Sequence, residues 1–102
     1  MNRTDIATIA HWTLQRREFE SGGYDYTIQR NERRLLIDLY VTVRPDFQTK
    51  RIDYEVTVTP SSRQLDLNEA VEFAALAQGA VIAARSFQHM IEAAEVMEEA
   101  NA

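Results

Sequence analysis

The stretch TDIATIAHWTLQRREFESGG, residues 4–23, decides the fold, because it reads in two ways. As a helix it starts at a Thr4 or Asp5 cap, lines up Ile6, Ile9, Ala10 and Leu14 on one inner side, and stops at Ser21-Gly22-Gly23. As a strand, Trp12 to Phe19 runs into a hairpin turned by the same Ser-Gly-Gly and returns at Tyr24. Alternation within 12–19 is poor: Arg16 and Glu18 share a side with Trp12 and Leu14, where a half-buried strand keeps apolar groups. The helix is the preferred reading.

Downstream the pattern changes to period two. Tyr24–Arg30 sets Tyr24, Tyr26 and Ile28 against Asp25, Thr27 and Gln29, which reads as a strand. After the polar turn at 30–33, Leu35–Val43 places Leu35, Ile37, Leu39, Val41 and Val43 on one side. Pro45, Asp46 and Phe47 should break it, and Arg51–Thr59 follows with Ile52, Tyr54, Val56 and Val58 aligned, closed by Pro60-Ser61-Ser62. Short connections imply an antiparallel meander with one covered face. The wet face carries Asp38, Thr42, Asp53, Glu55, Thr57 and Thr59, with Leu36 and Tyr40 as exceptions on it.

Residues 66–99 form the clearest local signal. Asp66 and Glu69 have capping-box spacing, with Leu65 placed to staple onto Ala70. Phe73, Leu76, Ala80, Ala83, Phe87, Met90, Ala94 and Met97 recur alternately at three and four residues, the spacing of a heptad seam. A helix over 67–97 is about 46 Å long, against about 30 Å for a nine-residue strand, so it overhangs any sheet it covers. Residues 73–84, FAALAQGAVIAA, are apolar nearly all round, which calls for burial on more than one side. Ala75, Gly79 and Ala83 form a line of small residues that admits a second helix: the N-terminal one or one from a second copy of the chain. The expected architecture is one two-layer α+β domain over 1–102. It has an N-terminal helix, a three-stranded antiparallel meander and a long C-terminal helix on one sheet face, with a frayed acidic end from about residue 92. Self-association is expected through Phe73, Ala75, Leu76, Gly79, Ala80, Ala83, Phe87 and Met90.

A length of 102 residues, with 45% hydrophobic and 26% charged, suits one globular domain. The chain has no cysteine, hence no disulfide framework or thiolate site. No uninterrupted apolar run reaches the roughly 18 residues of a membrane span, and the N-terminus lacks a signal peptide's apolar core, so a cytoplasmic protein without a membrane is expected. Net charge is −5 and uneven. Residues 1–63 hold ten Lys+Arg against nine Asp+Glu, whereas 64–102 hold only Arg85 against seven acidic residues.

The residues with chemical potential do not assemble into a catalytic set. His89 has Glu92 one turn on and Arg85 one turn back, but two ligands fall short of the three a catalytic zinc site needs. His11 has no marked nucleophile beside it. Asp53 and Glu55 on one strand face look like ordinary wet-face polarity, and Gly22-Gly23 lacks the residues of a phosphate loop. No catalytic, cofactor-binding or metal residues are expected, and so no enzyme. Arg16, Arg17, Arg30, Arg33 and Arg34, with Tyr24 and Tyr26, form the alternative reading of a nucleic-acid contact. The helix–strand–strand–strand–helix order matches the double-stranded RNA-binding domain. Asp66, Glu69 and Glu72, however, stand where that domain carries phosphate-binding lysines, so the residues contradict it. Ion pairing of these arginines with Glu18, Glu20, Glu32 or the acidic C-terminus is the preferred account.

Glu92, Glu95, Glu98 and Glu99 oppose the helix macrodipole and call for compensation by a basic partner surface. The expected function is a homodimeric, non-enzymatic interaction module, an inhibitor or adaptor that docks these glutamates on a basic protein. Small phage-encoded inhibitors of nucleic-acid-handling enzymes share its size and charge. The alternatives are nucleic-acid binding through the arginines and a small enzyme or ligand carrier using the sheet face.

Overall fold

Arg16 and Glu18, the residues that argue against a strand, stand in one. A computed structural model describes residues 2–30, 38–46, 48–49, 51–59 and 64–100. In it the N-terminal segment forms β1 (Asn2–Ile9) and β2 (Trp12–Glu18), an antiparallel hairpin turned at Ala10-His11, where Ala10 has a φ of 54°. The expected N-terminal helix is absent. The hairpin weighed against it is what forms, and the Ser-Gly-Gly turn feeds β3 (Tyr24–Arg30). Phe19 N donates to Gly23 O at 2.8 Å and Gly22 N to Phe19 O at 2.9 Å. Gly22 takes a φ of 95°, which an L side chain resists.

Two further strands, β4 (Asp38–Asp46) and β5 (Arg51–Thr59), complete a five-stranded antiparallel sheet in the order β1-β2-β3-β4-β5. Three expected strands are therefore five. Those over 24–30 and 51–59 keep their bounds, while the middle one runs on through Pro45 and Asp46. Pro45 lies beyond Val43, the last β4 residue paired with β3, where β4 has one neighbour and a missing N–H is tolerated. The chain turns just after it: the Asp46 carboxylate accepts from Gln48 N at 3.0 Å, a bond that lowers its pKa. Leu35, Leu36 and Ile37 lie outside the described residues.

The C-terminal helix α1 (Leu67–Ala100) follows its cap. Glu69 N donates to Asp66 Oδ1 at 2.8 Å and Asp66 N to Glu69 Oε1 at 3.2 Å, the reciprocal capping box expected from their spacing. It crosses one sheet face over β2, β3 and β4, closest to β4. Ala80, Ala83, Phe87 and Ile91 are buried there against Trp12, Leu14, Tyr26, Ile28, Val41 and Val43. The heptad seam is followed to Phe87, and of its later residues only Ala94 still packs against the core. Beyond Phe87 the packed face continues through Ile91, while Met90 and Met97 are 43% and 66% exposed. A straight helix turns every 3.6 residues, so a 3.5-residue seam drifts off its face unless a partner helix supercoils with it. The line of small residues is also used internally: a Cβ on Gly79 would stand 3.6 Å from the Trp12 ring, which fills the groove expected to receive a helix.

The opposite face is less wet than alternation suggests. Asp25, Thr27 and Thr42 are buried there, Thr42 being 4% exposed rather than solvated. Arg17 lies across from Asp25 in the β2–β3 register and grips it with two bonds, Nε to Oδ1 at 2.7 Å and Nη2 to Oδ2 at 2.6 Å. A bidentate fork of this kind holds register as well as charge. Asp25→Ala is expected to lower stability by about 3 kcal/mol, because Arg17 keeps a largely buried charge with its carboxylate gone. Urea unfolding followed by the fluorescence of Trp12, the sole tryptophan, checks this.

Candidate interaction groove

A single helix about 10 Å across covers two or three strands spaced about 4.8 Å apart, so α1 leaves the sheet margins open. At β1 the helix side carries Asn2, Thr4, Ala7 and Ile9, with Ile9 37% exposed. At β5 it carries Ile52, Tyr54 and Val56, and Tyr54 and Val56 remain 37% and 48% exposed. Beside them Val81 of α1 is 46% exposed. A seam thus runs between α1 and β5. Its middle is a recess of about 270 Å³ lined by Tyr54, Val81, Ala84, Arg85 and Gln88. One helical turn further on lies a second, of about 240 Å³, where Ile52, Pro45 and Val96 are rimmed by Glu92, Glu99, Asp46 and Arg51.

The C-terminal half of α1 is held to the sheet by a polar clasp. Tyr24 and Tyr26, edge to face at 6.0 Å, donate their hydroxyls to the two oxygens of Glu95 at 2.7 and 2.8 Å. Arg16 stacks on Tyr24, its guanidinium carbon 3.9 Å from the ring centre, and donates to Glu98 at 3.2 and 3.3 Å. It also pairs with Glu18 at 3.3 Å. Burial acts against the Arg16 charge, but Glu98 more than offsets it and the pKa rises. Burial raises Tyr24 and Tyr26 well above the ordinary tyrosine value, and the Glu95 carboxylate raises them further. Tyr54 is raised by burial and, less, by Glu92.

The expected site residues are therefore divided. Ala80, Ala83 and Phe87 are buried inside their own chain, and Phe73 and Leu76 pack partly against the same core. Gly79 meets Trp12, while Ala75 and Met90 are exposed. Of the four glutamates, Glu95 and Glu98 are engaged by the clasp and Glu92 accepts from Gln88 at 3.1 Å, while Glu92, Glu95 and Glu99 all line the recess. The acidic end expected to fray is helical to Ala100. The arginines do not form one patch: Arg16 faces α1, Arg17 pairs with Asp25 on the other sheet face, and Arg33 and Arg34 lie outside the described residues. Among the described residues no three His, Cys, Asp or Glu side chains converge as a metal site. Sequence pattern alone does not single out Tyr54, Val56 or Val81 as surface residues; for Tyr54 and Val56 the signal is position, on the last strand of a meander, and for Val81 it is the all-round apolar run 73–84.

Although no uninterrupted apolar run is long enough to span a membrane, α1 is long and apolar enough by length and composition. Its 18-residue window has a mean hydropathy of 1.2, and only 17% of that window is buried. The helix carries more apolar surface than its sheet covers. No protein-family model matches the chain, and no curated protein or solved structure is similar to it.

The clasp sets a pH dependence. Its tyrosines donate only while protonated, and their folded pKa values lie above the unfolded value of about 10. The stabilisation is thus complete below about pH 10 and is lost as pH rises past it. Urea midpoints should fall between about pH 9 and about pH 11, and the Tyr24→Phe/Tyr26→Phe variant, less stable near neutrality, should show a flatter profile.

Proposed function

We propose that the protein is a non-catalytic interaction module that works as a pair of identical chains. It presents the acid-rimmed end of the seam to a basic protein, as an adaptor or inhibitor does. The observation that carries this reading is the uncovered apolar surface where α1 and β5 meet: Tyr54 and Val81 line one recess, and Val56, two residues along β5 on the same face, is also exposed. Cyclic pairing is the commonest way for such a surface to be covered. A lipid surface suits it less well. Between Leu67 and Ala100 the helix has Arg85 as its sole basic residue and glutamates towards both ends, which anionic headgroups repel. Glu92 and Glu99 at the recess rim supply the charge for a basic partner, while Glu95 and Glu98 serve the clasp.

Sedimentation tests the pairing. The chain is expected to run as a dimer that salt strengthens, since each copy carries a net charge of −5. Val81→Glu should weaken it by about tenfold or more without loss of helicity, because a carboxylate in that contact stays desolvated and unpaired. A monomer at all concentrations refutes self-pairing. Glu92→Lys with Glu99→Lys should release a basic partner while leaving the dimer intact, and unchanged capture of that partner would refute the acidic docking surface.

A further inference from the structure

The two sheet margins differ in a way that points to how copies meet. β1 carries an irregularity between Asp5 and Ala7 that leaves Ile6 without a partner in β2, the sort of bulge that spoils an edge for further pairing. β5 has none: its nine residues pair with β4 without a shift, from Asp38 opposite Thr59 to Asp46 opposite Arg51. Within Arg51–Thr59 there is no proline and no lysine, and among the described residues no strand lies on its outer side. Its charged residues, Arg51, Asp53 and Glu55, all lie on the face away from α1, so they restrict the registers open to a partner strand, and a long, regular edge is a template for one.

Building on the self-pairing reading, we propose that the occupant of this edge is β5 of a second copy, running antiparallel about a two-fold axis through Val56. The charges select the register. Side chains opposite one another in an antiparallel pair share a face, so a two-fold axis must pass through a residue and its own copy. Centred on Tyr54, the pairing sets Asp53 opposite Glu55; centred on Asp53 or Glu55, it sets that carboxylate opposite itself, and like charges directly opposed destabilise a sheet. Centred on Val56, Asp53 meets Thr59, Tyr54 meets Val58 and Glu55 meets Thr57, with no like charges opposed. It is the longest register over Arg51–Thr59 for which that is true.

The same two-fold axis places both helices on one side of a ten-stranded sheet. Three strand spacings, about 14 Å, then separate the two copies of β4, compared with 8–10 Å between packed helices. Tyr54, Val56 and Val81 from both copies stand in the intervening space, so two half-open seams close into one apolar trough.

Because the chain has no cysteine, single substitutions report the contact directly. In Val56→Cys the two Cα atoms lie about 5 Å apart across the axis, within disulfide range, whereas in Tyr54→Cys they lie about 14 Å apart. Ile82→Cys probes the outer side of α1 instead. Under mild oxidation Val56→Cys is expected to form a covalent dimer about tenfold or more faster than the other two, with its helicity unchanged. Faster linkage through Tyr54→Cys would overturn the register, and through Ile82→Cys the edge itself. A protein that sediments as a dimer while Val56→Cys stays unlinked also refutes edge pairing but leaves self-association standing. Only a monomer in sedimentation, with none of the three linked, removes both.

Discussion

The width of one α-helix against five strands is the constraint from which the rest of the molecule follows. α1 is long enough, its 34 residues matching the 50 Å long axis of the protein, but it is narrow. Placed over β2, β3 and β4, it completes a core around Trp12, Tyr26, Val43 and Phe87. It cannot also reach the margins. β1 meets that situation with Asn2, Thr4 and a kink at Ile6, though Ile9 stays exposed, whereas β5 keeps Tyr54 and Val56 on the uncovered side. Apolar surface is left without cover along the α1–β5 seam and on α1 itself, at Val71, Ile82 and Val96.

What fixes the helix at its far end is chiefly hydrogen bonding and charge. Four glutamates at a helix C-terminus oppose the dipole, and α1 has no basic residue in its last turn to offset them. The sheet supplies what the helix lacks: two tyrosine hydroxyls for Glu95 and a guanidinium for Glu98. This compensation comes from the same chain, so two carboxylates that looked available to a partner serve tertiary structure. Arg17 and Asp25 play a comparable part beneath the sheet. The molecule thus has a charged tie on each face of the β2–β3 hairpin, and both involve neighbouring arginines.

The local signals were readable wherever their causes were local. The capping box at Asp66 and Glu69, the alternation of Tyr24–Arg30 and that of Arg51–Thr59 depend on near neighbours, and each forms as its residues indicate. β2 does not read as a strand because its inward side includes Arg16, opposite Tyr26. A guanidinium on a core-facing position makes sense only once Glu98, 82 residues away, is known to lie above it. Likewise alternation places Thr42 on the wet face, yet on the middle strand of the three it stands in register between Thr27 and Glu55 and is buried, which period two alone does not signal. The seam along α1 holds to Phe87 and again at Ala94, but a lone helix on a sheet has no supercoil to keep Met90 and Met97 facing inward. Of the candidate surface, the recess-rimming Glu92 and Glu99 were legible by composition. Tyr54 and Val56 were legible as apolar but not as uncovered.

The displaced residue at Ile6 bears on assembly size as well as on local geometry. A sheet with two serviceable borders can recruit neighbours from both and grow into an endless ribbon. In the proposed pairing β5 of each copy is used up in one symmetric contact, and the borders left outside are the two copies of β1, each interrupted at Ile6.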